Sequence, residues 1–295
     1  MNLALRVSPQ RFLWALRALT VVLAAVMALA IDGASGGRTA AAPVGTVALG
    51  VAVAAVIVAL VAPSPLGLTV VRLVVPVAVP AAGLLLALGA GAGWGVAALT
   101  VALLATLVAF SAETAEAMVQ GSAYGDEQRL PLRAPVVLQL PMLLSWAVWC
   151  TAALGGTMLL AAGRWVLGAA VSLLAAGLAW LLGYRFHRLS RRWLVVVPAG
   201  VVLHDPVVLA ETLMMQRNNV AVVRLAPADT EAADLTGPAS GHALEVVVHD
   251  MELVVLAPTI AEPKGRALHV QSLLVAPSRP GRALRALAAA KVPVG

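Results

Sequence analysis

The residues of this sequence that could do chemistry are concentrated in one short polar segment between long apolar runs. Its charged members are Glu113, Glu116, Asp126, Glu127, Arg129 and Arg133. Glu113, Glu116 and Gln120 are spaced i, i+3 and i+7, which places them on one face of a helix. Four carboxylates beside two guanidinium groups could coordinate a cation or a polar head group if they converge. The alternative is a salt-bridged loop that anchors the neighbouring helices and docks on another domain.

Histidines offer a second source of chemistry, but all five lie after residue 186. A di-iron bundle built from Glu-x-x-His pairs is therefore excluded in the apolar part. The dipeptides His204-Asp205 and His249-Asp250 are also found in metal-dependent phosphohydrolases, but there the ligands lie on helices. Here both lie at predicted strand ends, where local hydrogen bonding is the simpler interpretation. No Walker loop, HExxH or GxSxG motif occurs. We therefore expect no metal, no cofactor and no enzyme activity.

Composition divides the chain into two parts that suit different solvents. Of the 295 residues, 61% are hydrophobic and 12% are charged, against about 25% charged in soluble domains. Residues 1–190 hold ten arginines and five acids, whereas residues 191–295 hold ten basic and nine acidic residues. Five of the six excess positive charges therefore lie in the apolar part, which indicates membrane topology rather than nucleic-acid binding. We expect residues 1–190 to form an all-α membrane domain.

Six apolar runs approach the length of about 20 residues that crosses a bilayer. The predicted spans are 13–31, 44–62, 70–90, 94–112, 136–160 and 165–184. Residues 73–112 carry no charge, and as one helix they would be twice as long as the membrane is thick. The chain must therefore fold back, and the turn is expected at the glycine-rich segment 89–95. Pro76 and Pro80 are expected to kink the third span.

The first span also has features of a secretory signal peptide. Its arginines precede a short apolar run that ends in Ala28-Leu29-Ala30, which is similar to a cleavage site. Five further spans make a retained first helix the simpler interpretation, and cleavage would leave the other spans in place.

Arginine positions predict the orientation of the chain. With the N-terminus inside, the outer segments carry only Arg38 and Arg164. The inner segments carry Arg6, Arg11, Arg17, Arg72, Arg129, Arg133, Arg185, Arg188, Arg191 and Arg192. Both termini are therefore expected in the cytoplasm. The preference for arginine over lysine, with abundant Ala, Val, Leu and Gly, suggests a GC-rich bacterial genome, so the expected location is a bacterial inner membrane.

The predicted spans themselves carry few reactive groups. Arg72 is expected at the inner end of the third span, and no ionisable residue lies in the middle of a span, which disfavours an ion-coupled transporter. Trp146 and Trp149 lie mid-span, three residues apart on one helix face. They indicate helix packing or, alternatively, a groove for a lipid or a ligand. Cys150 is the single cysteine, so no intramolecular disulfide can form.

From Arg191 onward the pattern changes to short β-branched runs, which predict strands. Two hairpins are expected, one turning at Pro198-Ala199-Gly200 and one at His249–Glu252. The predicted strands are 192–197, 201–204, 220–225, 244–248, 253–256 and 267–275, followed by a helix that ends at Ala290. Residues 191–295 are therefore predicted to form a small β-rich cytosolic domain with a C-terminal helix.

This last third resembles a bacterial PH-like domain. The matching residues are the run Arg192-Trp-Leu-Val-Val-Val-Pro-Ala-Gly-Val-Val-Leu-His-Asp205, an extended middle, and a final strand that leads to the helix 282–290. Such domains commonly follow a membrane helix directly, as Tyr184–Arg192 does here. The resemblance implies a small, partly open barrel closed by the helix. Phosphoinositide-binding members carry basic residues in the first hairpin loop, which here has none, so the resemblance implies protein contact instead.

These features predict a non-enzymatic, multi-pass membrane scaffold that docks a protein partner through its cytosolic domain or its inner loop. One alternative is a membrane carrier or lipid-handling protein with a groove between the helices. Another is an interfacial enzyme, which would need Glu113, Glu116 and Asp126 within metal-bridging reach. The bilayer is itself an expected partner, and the four arginines of residues 185–192 are expected to contact anionic lipid.

Overall fold

The computed structural model describes residues 9–36, 41–258 and 262–295. Arg6 and Arg38, which were used to predict the orientation, lie outside the described residues. The chain forms two compact units, a helical unit of Met1–Met118 and Leu143–Phe186 and a β unit of Val119–Met142 and His187–Gly295. The chain therefore passes between the units three times. Residues 119–142 belong to the β unit, whereas the predicted domain boundary lay at residue 190.

Among the described residues, six apolar segments are long enough to cross a membrane, as the sequence predicts. The helices that form these segments and the short α6 are α1 Pro9–Ser35, α2 Ala41–Val61, α3 Pro65–Val74, α4 Ala78–Ala87, α5 Ala92–Phe110, α6 Ala112–Gln120, α7 Val136–Ala161 and α8 Trp165–Ser190. Helices α3 and α4 make one segment, Pro65–Ala87. The chain folds back between α4 and α5, within the predicted glycine-rich turn.

Small residues let the helices of the helical unit approach closely. Helix α1 packs against α2 and α5, and α4 packs against α5. On α5 the buried residues are Gly95, Ala98, Ala102, Ala105 and Ala109, spaced three or four residues apart. Such a stripe brings helix backbones together and favours association in lipid, where apolar burial alone provides little driving force.

The third span begins earlier than predicted, and this changes the position of Arg72. Ser64 caps α3 by accepting a 3.0 Å hydrogen bond from the Gly67 N–H, and Pro65 occupies the first turn. Serine at the cap and proline at the first position both favour a helix start. Arg72 lies seven residues after Pro65, about 10 Å along the helix, so the prediction that it lies at the end of the span is wrong.

The same span is interrupted by a 3₁₀ turn at Val75–Val77. Pro76 and Pro80 have no N–H to donate to the preceding turn, so the regular hydrogen-bond ladder breaks there. Helix α4 then continues from Ala78 to Ala87.

The β unit contains two four-stranded sheets and a C-terminal helix. The strands are β1 Gln128–Pro131, β2 Trp193–Val197, β3 Gly200–His204, β4 Leu213–Gln216, β5 Val220–Leu225, β6 Ala233–Asp234, β7 Leu244–Leu256 and β8 Arg266–Val275, and the helix is α9 Pro280–Ala289. The sheet orders are β1-β2-β3-β4 and β5-β7-β8-β6. All neighbouring strands are antiparallel except β6 and β8. The predicted β-rich region with a C-terminal helix is therefore confirmed.

Alternating apolar residues of these strands form the core of the β unit. Leu194, Leu203, Met215 and Leu273 are completely buried, and Leu287 of α9 packs into the same cluster. At the β2–β3 turn, a Cβ on Gly200 would lie 2.1 Å from the Met215 carbonyl oxygen, so this position requires glycine. The predicted first hairpin is present, with its turn at Pro198 and Ala199.

The predicted second hairpin is wrong, because β7 runs unbroken from Leu244 to Leu256. The register of β7 against β8 shifts between Val247 and Glu252, so His249-Asp250 lies in an irregular stretch of one strand rather than in a turn. A bulge keeps an extended chain within a sheet while leaving residues unpaired. Its polar residues are therefore compatible with a strand, although their composition is typical of a turn.

Candidate functional site

The six charged residues of the predicted cluster are divided between the two units. Glu113 and Glu116 lie on α6 in the helical unit, and Glu116 is only 5% exposed. Asp126, Glu127, Arg129 and Arg133 belong to the β unit. Among the described residues, no group of three or more His, Cys, Asp or Glu side chains is placed to hold a metal ion.

Glu127 and Arg129 fix the segment that leads into β1. The Arg129 guanidinium lies 2.6 Å from Glu127 Oε1, which also accepts a 2.6 Å hydrogen bond from the Tyr124 N–H. Gln120 donates to the Glu127 carbonyl and accepts from the Arg129 N–H, both at 2.9 Å. The Gln120 side-chain amide thus binds the backbone groups of Glu127 and Arg129 at the outer edge of this segment, as a neighbouring strand would.

The remaining outer edge of β1 pairs with the segment that follows β8. Ser278 donates its N–H to the Pro131 carbonyl at 2.8 Å, and the Arg133 N–H donates to the Ala276 carbonyl at 2.9 Å. The inner edge of β1 pairs with β2, with Leu130 opposite Leu194. Strand β1 therefore joins the two sheets of the β unit, and both of its edges are occupied.

A buried ion pair lies in the second chain segment of the β unit, and its arginine also contacts the first segment. Arg192 donates from Nε to Asp205 Oδ1 at 2.8 Å and from Nη2 to Oδ2 at 2.7 Å, and the two side chains are 1% and 0% exposed. Arg192 also donates to the Thr236 carbonyl at 2.9 Å and to the Arg133 carbonyl. Asp205 accepts from the Val207 N–H at 3.1 Å as well. This enclosed guanidinium thus links three loops.

The prediction that Arg192 contacts anionic lipid is wrong, because its side chain is enclosed in the β unit. In the sequence Arg192 is one of several arginines that indicate topology, and its pairing with Asp205 was not predicted. One signal was present in the predicted hairpin. Trp193 lies opposite His204 in the last pair of the β2–β3 register, so Arg192 and Asp205 are the next residues that face each other. An arginine and an aspartate at opposed positions can pair across antiparallel strands.

Arg133 is held by the loop before β7. Its guanidinium donates to the His242 carbonyl, and a Cβ on Gly241 would lie 2.5 Å from its Nη1. Burial lowers the pKa of Arg133 from its ordinary value. The side chain therefore acts as a loop anchor in this structure.

A stack of aromatic and cationic groups lies beside the buried ion pair. The Trp193 and His204 rings stack with centroids 5.0 Å apart, and Arg129 lies over the Trp193 ring at 5.2 Å. His204 Nδ1 lies 2.9 Å from Thr212 Oγ1, and its Nε2 lies 3.4 Å from Arg191 Nη2. Because Arg191 can only donate, these partners assign the neutral ring with its proton on Nδ1.

This environment favours the uncharged form of His204. Burial lowers the pKa of His204 below its ordinary value of 6.5, and Arg191 and Arg129 lower it further, against the opposing effect of Asp205. A proton on Nε2 would face the Arg191 guanidinium.

Trp146 and Trp149 both bind backbone carbonyls inside the helical unit. The Trp146 indole N–H donates to the Leu73 carbonyl at 3.0 Å, next to the 3₁₀ interruption. The Trp149 indole N–H donates to the Ala175 carbonyl of α8 at 3.1 Å, and Trp149 is 8% exposed. Neighbouring helices commonly satisfy backbone groups near a break in this way. A lipid or ligand groove at this pair stays a prediction.

The β unit also contains an open groove of about 550 Å³. Val196 of β2 and Ala286 and Ala290 of the C-terminal helical region supply apolar lining. Its charged lining includes Asp126, Arg217 and Lys291, which come from three separate segments of the chain. This groove could not be predicted from the sequence, because Arg217 and Lys291 are distant in the chain from Asp126.

No protein-family model, curated protein or solved structure matches this chain.

Proposed function

We propose that this protein is a multi-pass membrane scaffold whose β unit docks a protein partner. The observation that carries the proposal is the construction of the β unit from two segments of chain, joined by the pairing of β1 with β2 and by the hydrogen bond from Arg192 to the Arg133 carbonyl. The β unit is therefore more than a C-terminal tail, because residues 119–142 are part of its fold. A domain whose own fold is fixed in this way presents a constant surface, which reduces the entropy lost on association.

The outer face of the β7–β8 hairpin is the proposed docking surface. Met251 and Leu253 are 63% and 52% exposed and lie two residues apart on β7, where its irregular stretch ends. His269 of β8 lies opposite Leu253 in the register and is also exposed. We call Met251, Leu253 and His269 the β7 patch. Exposed apolar side chains that are grouped in this manner are typical of protein contacts.

Affinity capture tests the scaffold proposal. Tagged full-length chain is purified in mild detergent at native expression, alongside Met251→Ser/Leu253→Ser and the control Met214→Ser. Met214 is 39% exposed on β4, in the other sheet. We expect one defined partner at near-stoichiometric yield, reduced about tenfold by the patch variant and unchanged by the control. Recovery of the chain alone from wild type, or equal yields from all three proteins, would contradict the proposal.

Location and orientation are part of the same proposal. We propose a bacterial inner membrane with both termini in the cytoplasm, supported by the excess of arginine on alternate segments. A reporter that is active only in the cytoplasm should therefore be active when it is fused after Gly295.

The relation to PH-like domains also stays a proposal. It is supported by a β2–β3–β4 meander, a second antiparallel group and the closing helix α9. Strand β1, which comes from before α7, and the parallel β6 are additions to that pattern. An experimental structure of the β unit, compared with the structures of PH-like domains, would test the relation.

A carrier or lipid-handling role is the alternative, and Arg72 is the observation that favours it. Its Nε is buried without a hydrogen-bond partner, and its guanidinium carbon lies 5.5 Å from the Phe110 ring centroid. Ionisable groups within a span are costly and commonly functional. Lipid transfer or solute flux in proteoliposomes that is lost in Arg72→Gln would support this role over the scaffold. The absence of any flux above protein-free liposomes would remove it.

A further inference from the structure

The groove beside the end of α9 is lined by side chains of both charges that form no ion pair with each other. Asp126, Arg217 and Lys291 all line it. None of the three takes part in the ion pairs that the described residues form. Glu127 also lines the groove, but Arg129 already compensates its charge. The groove therefore presents one exposed carboxylate and two exposed cations that form no ion pair among the described residues.

Lys291 occupies a backbone position that normally favours glycine. It has φ +60° at the end of α9, where its N–H donates to the Ala288 carbonyl and the Val292 N–H donates to the Leu287 carbonyl, both at 3.0 Å. This is the left-handed residue of a Schellman-type helix end, a position at which glycine avoids strain. A lysine here costs stability, so a role for its side chain offers a reason for its presence.

We propose that this groove binds a small zwitterion, namely a free amino acid or a short peptide with both termini free. The ligand's ammonium group pairs with Asp126, near the negative end of the α9 dipole. Its carboxylate pairs with Arg217 and Lys291 through charge-assisted hydrogen bonds. The apolar lining of Val196, Ala286 and Ala290 accommodates the ligand's aliphatic part.

Size and charge together favour this ligand over an ion of one sign. The groove volume of about 550 Å³ is within the range of small-molecule sites. A simple anion would pair only with Arg217 and Lys291 and a simple cation only with Asp126, whereas a zwitterion pairs with all three. Binding of a zwitterion goes beyond the scaffold proposal and does not depend on the β7 patch.

Calorimetric titration of the full-length chain in detergent tests the proposal. The probe is the tripeptide Ala-Val-Ala with free termini, compared with its N-acetylated form, which lacks the cation, and its C-amidated form, which lacks the anion. We expect a Kd below about 1 mM for the free peptide and at least tenfold weaker binding of each blocked form, roughly the loss of one charge contact. Undetectable binding of the free peptide up to about 10 mM, or equal binding of a blocked form, would overturn the proposal.

Two variants locate the site on the protein. Asp126→Asn and Lys291→Gly should each weaken binding of the free peptide about tenfold, whereas the exposed-residue controls Asp229→Asn and Lys264→Ala should not. Lys291→Gly is also expected to raise the thermal midpoint, because glycine removes strain at positive φ. Weaker binding with unchanged or higher stability therefore cannot result from unfolding. Binding that both groove variants leave unchanged would place the peptide elsewhere and refute the site.

Discussion

Arg192 and Asp205 form an ion pair that is completely enclosed in the β unit, with Arg192 Nη2 2.7 Å from Asp205 Oδ2. The pair is supported by two further carbonyl acceptors for the guanidinium and by backbone N–H donors to the carboxylate. Because the carbonyl groups belong to Arg133 and Thr236, the guanidinium holds together parts of the chain that are far apart in sequence.

Removing one partner of this pair should destabilise the β unit strongly. Arg192→Met or Asp205→Leu leaves a buried charge unpaired, at a cost of about 3–5 kcal/mol. The double variant Arg192→Met/Asp205→Leu should recover part of the loss, because it removes both charges. Urea unfolding in detergent, with hydrogen exchange of residues 193–204 as the readout, measures the effect. Single variants as stable as wild type would show that the pair is not enclosed in solution.

The stability of the β unit should decrease as the pH falls below about 6.5. At lower pH the unfolded chain protonates His204 at its ordinary pKa of 6.5, whereas the folded chain resists protonation because its pKa is lowered. The stabilising contribution is fully present above this value and is lost as the pH falls to the lowered pKa.

Thermal midpoints between pH 8 and pH 5 (roughly the range over which histidine changes charge) measure this dependence. His204→Phe keeps a ring against Trp193 but cannot titrate, so its midpoint should change less over the same interval. A wild type and a variant with the same pH dependence would contradict the assignment of a neutral His204.

The Gln120 side chain should protect the backbone at the start of β1 from hydrogen exchange. Gln120→Ala removes two hydrogen bonds to backbone groups of Glu127 and Arg129, at a cost of about 1–3 kcal/mol. The Arg129 amide should then exchange its hydrogen faster, while amides of β5 and β7 keep wild-type rates. Exposed Gln128→Ala on the same segment is the control, and equal effects of the two substitutions would show that the Gln120 amide contributes nothing specific.

Trp146 should stabilise the interrupted third span through its bond to the Leu73 carbonyl. Trp146→Phe keeps the aromatic packing and removes the donor, so we expect a loss of about 1 kcal/mol. Trp180 is 85% exposed on α8, and Trp180→Phe is therefore the matched control. Thermal unfolding in detergent compares the two, and an unchanged midpoint for Trp146→Phe would indicate that the bond is weak or absent.

The six apolar helical segments of the described residues could be predicted, because lipid imposes a local rule: a crossing helix needs about 20 consecutive apolar residues that satisfy their own backbone. The β2–β3 hairpin was also predictable, since its alternating residues and its turn are contiguous in sequence. Strand β1 was not, because a four-residue strand has little pattern of its own and its partner residues 193–196 follow α7 and α8 in the chain. The charged groove residues escaped prediction for the same reason: their proximity depends on non-local pairing.

A disulfide between β1 and β2 tests most directly whether residues from before α7 complete the β unit. Arg129 and Val195 are opposed in the antiparallel register, at a pair whose Cα separation suits a disulfide. In a Cys150→Ser background, we predict that Arg129→Cys/Val195→Cys cross-links within one chain under mild oxidation, as detected by mass spectrometry of digested peptides. The control Arg129→Cys/Arg224→Cys should not cross-link, since Arg224 lies on β5 in the other sheet. Free thiols at both positions of the test pair, in a chain that is otherwise folded, would show that β1 does not pair with β2.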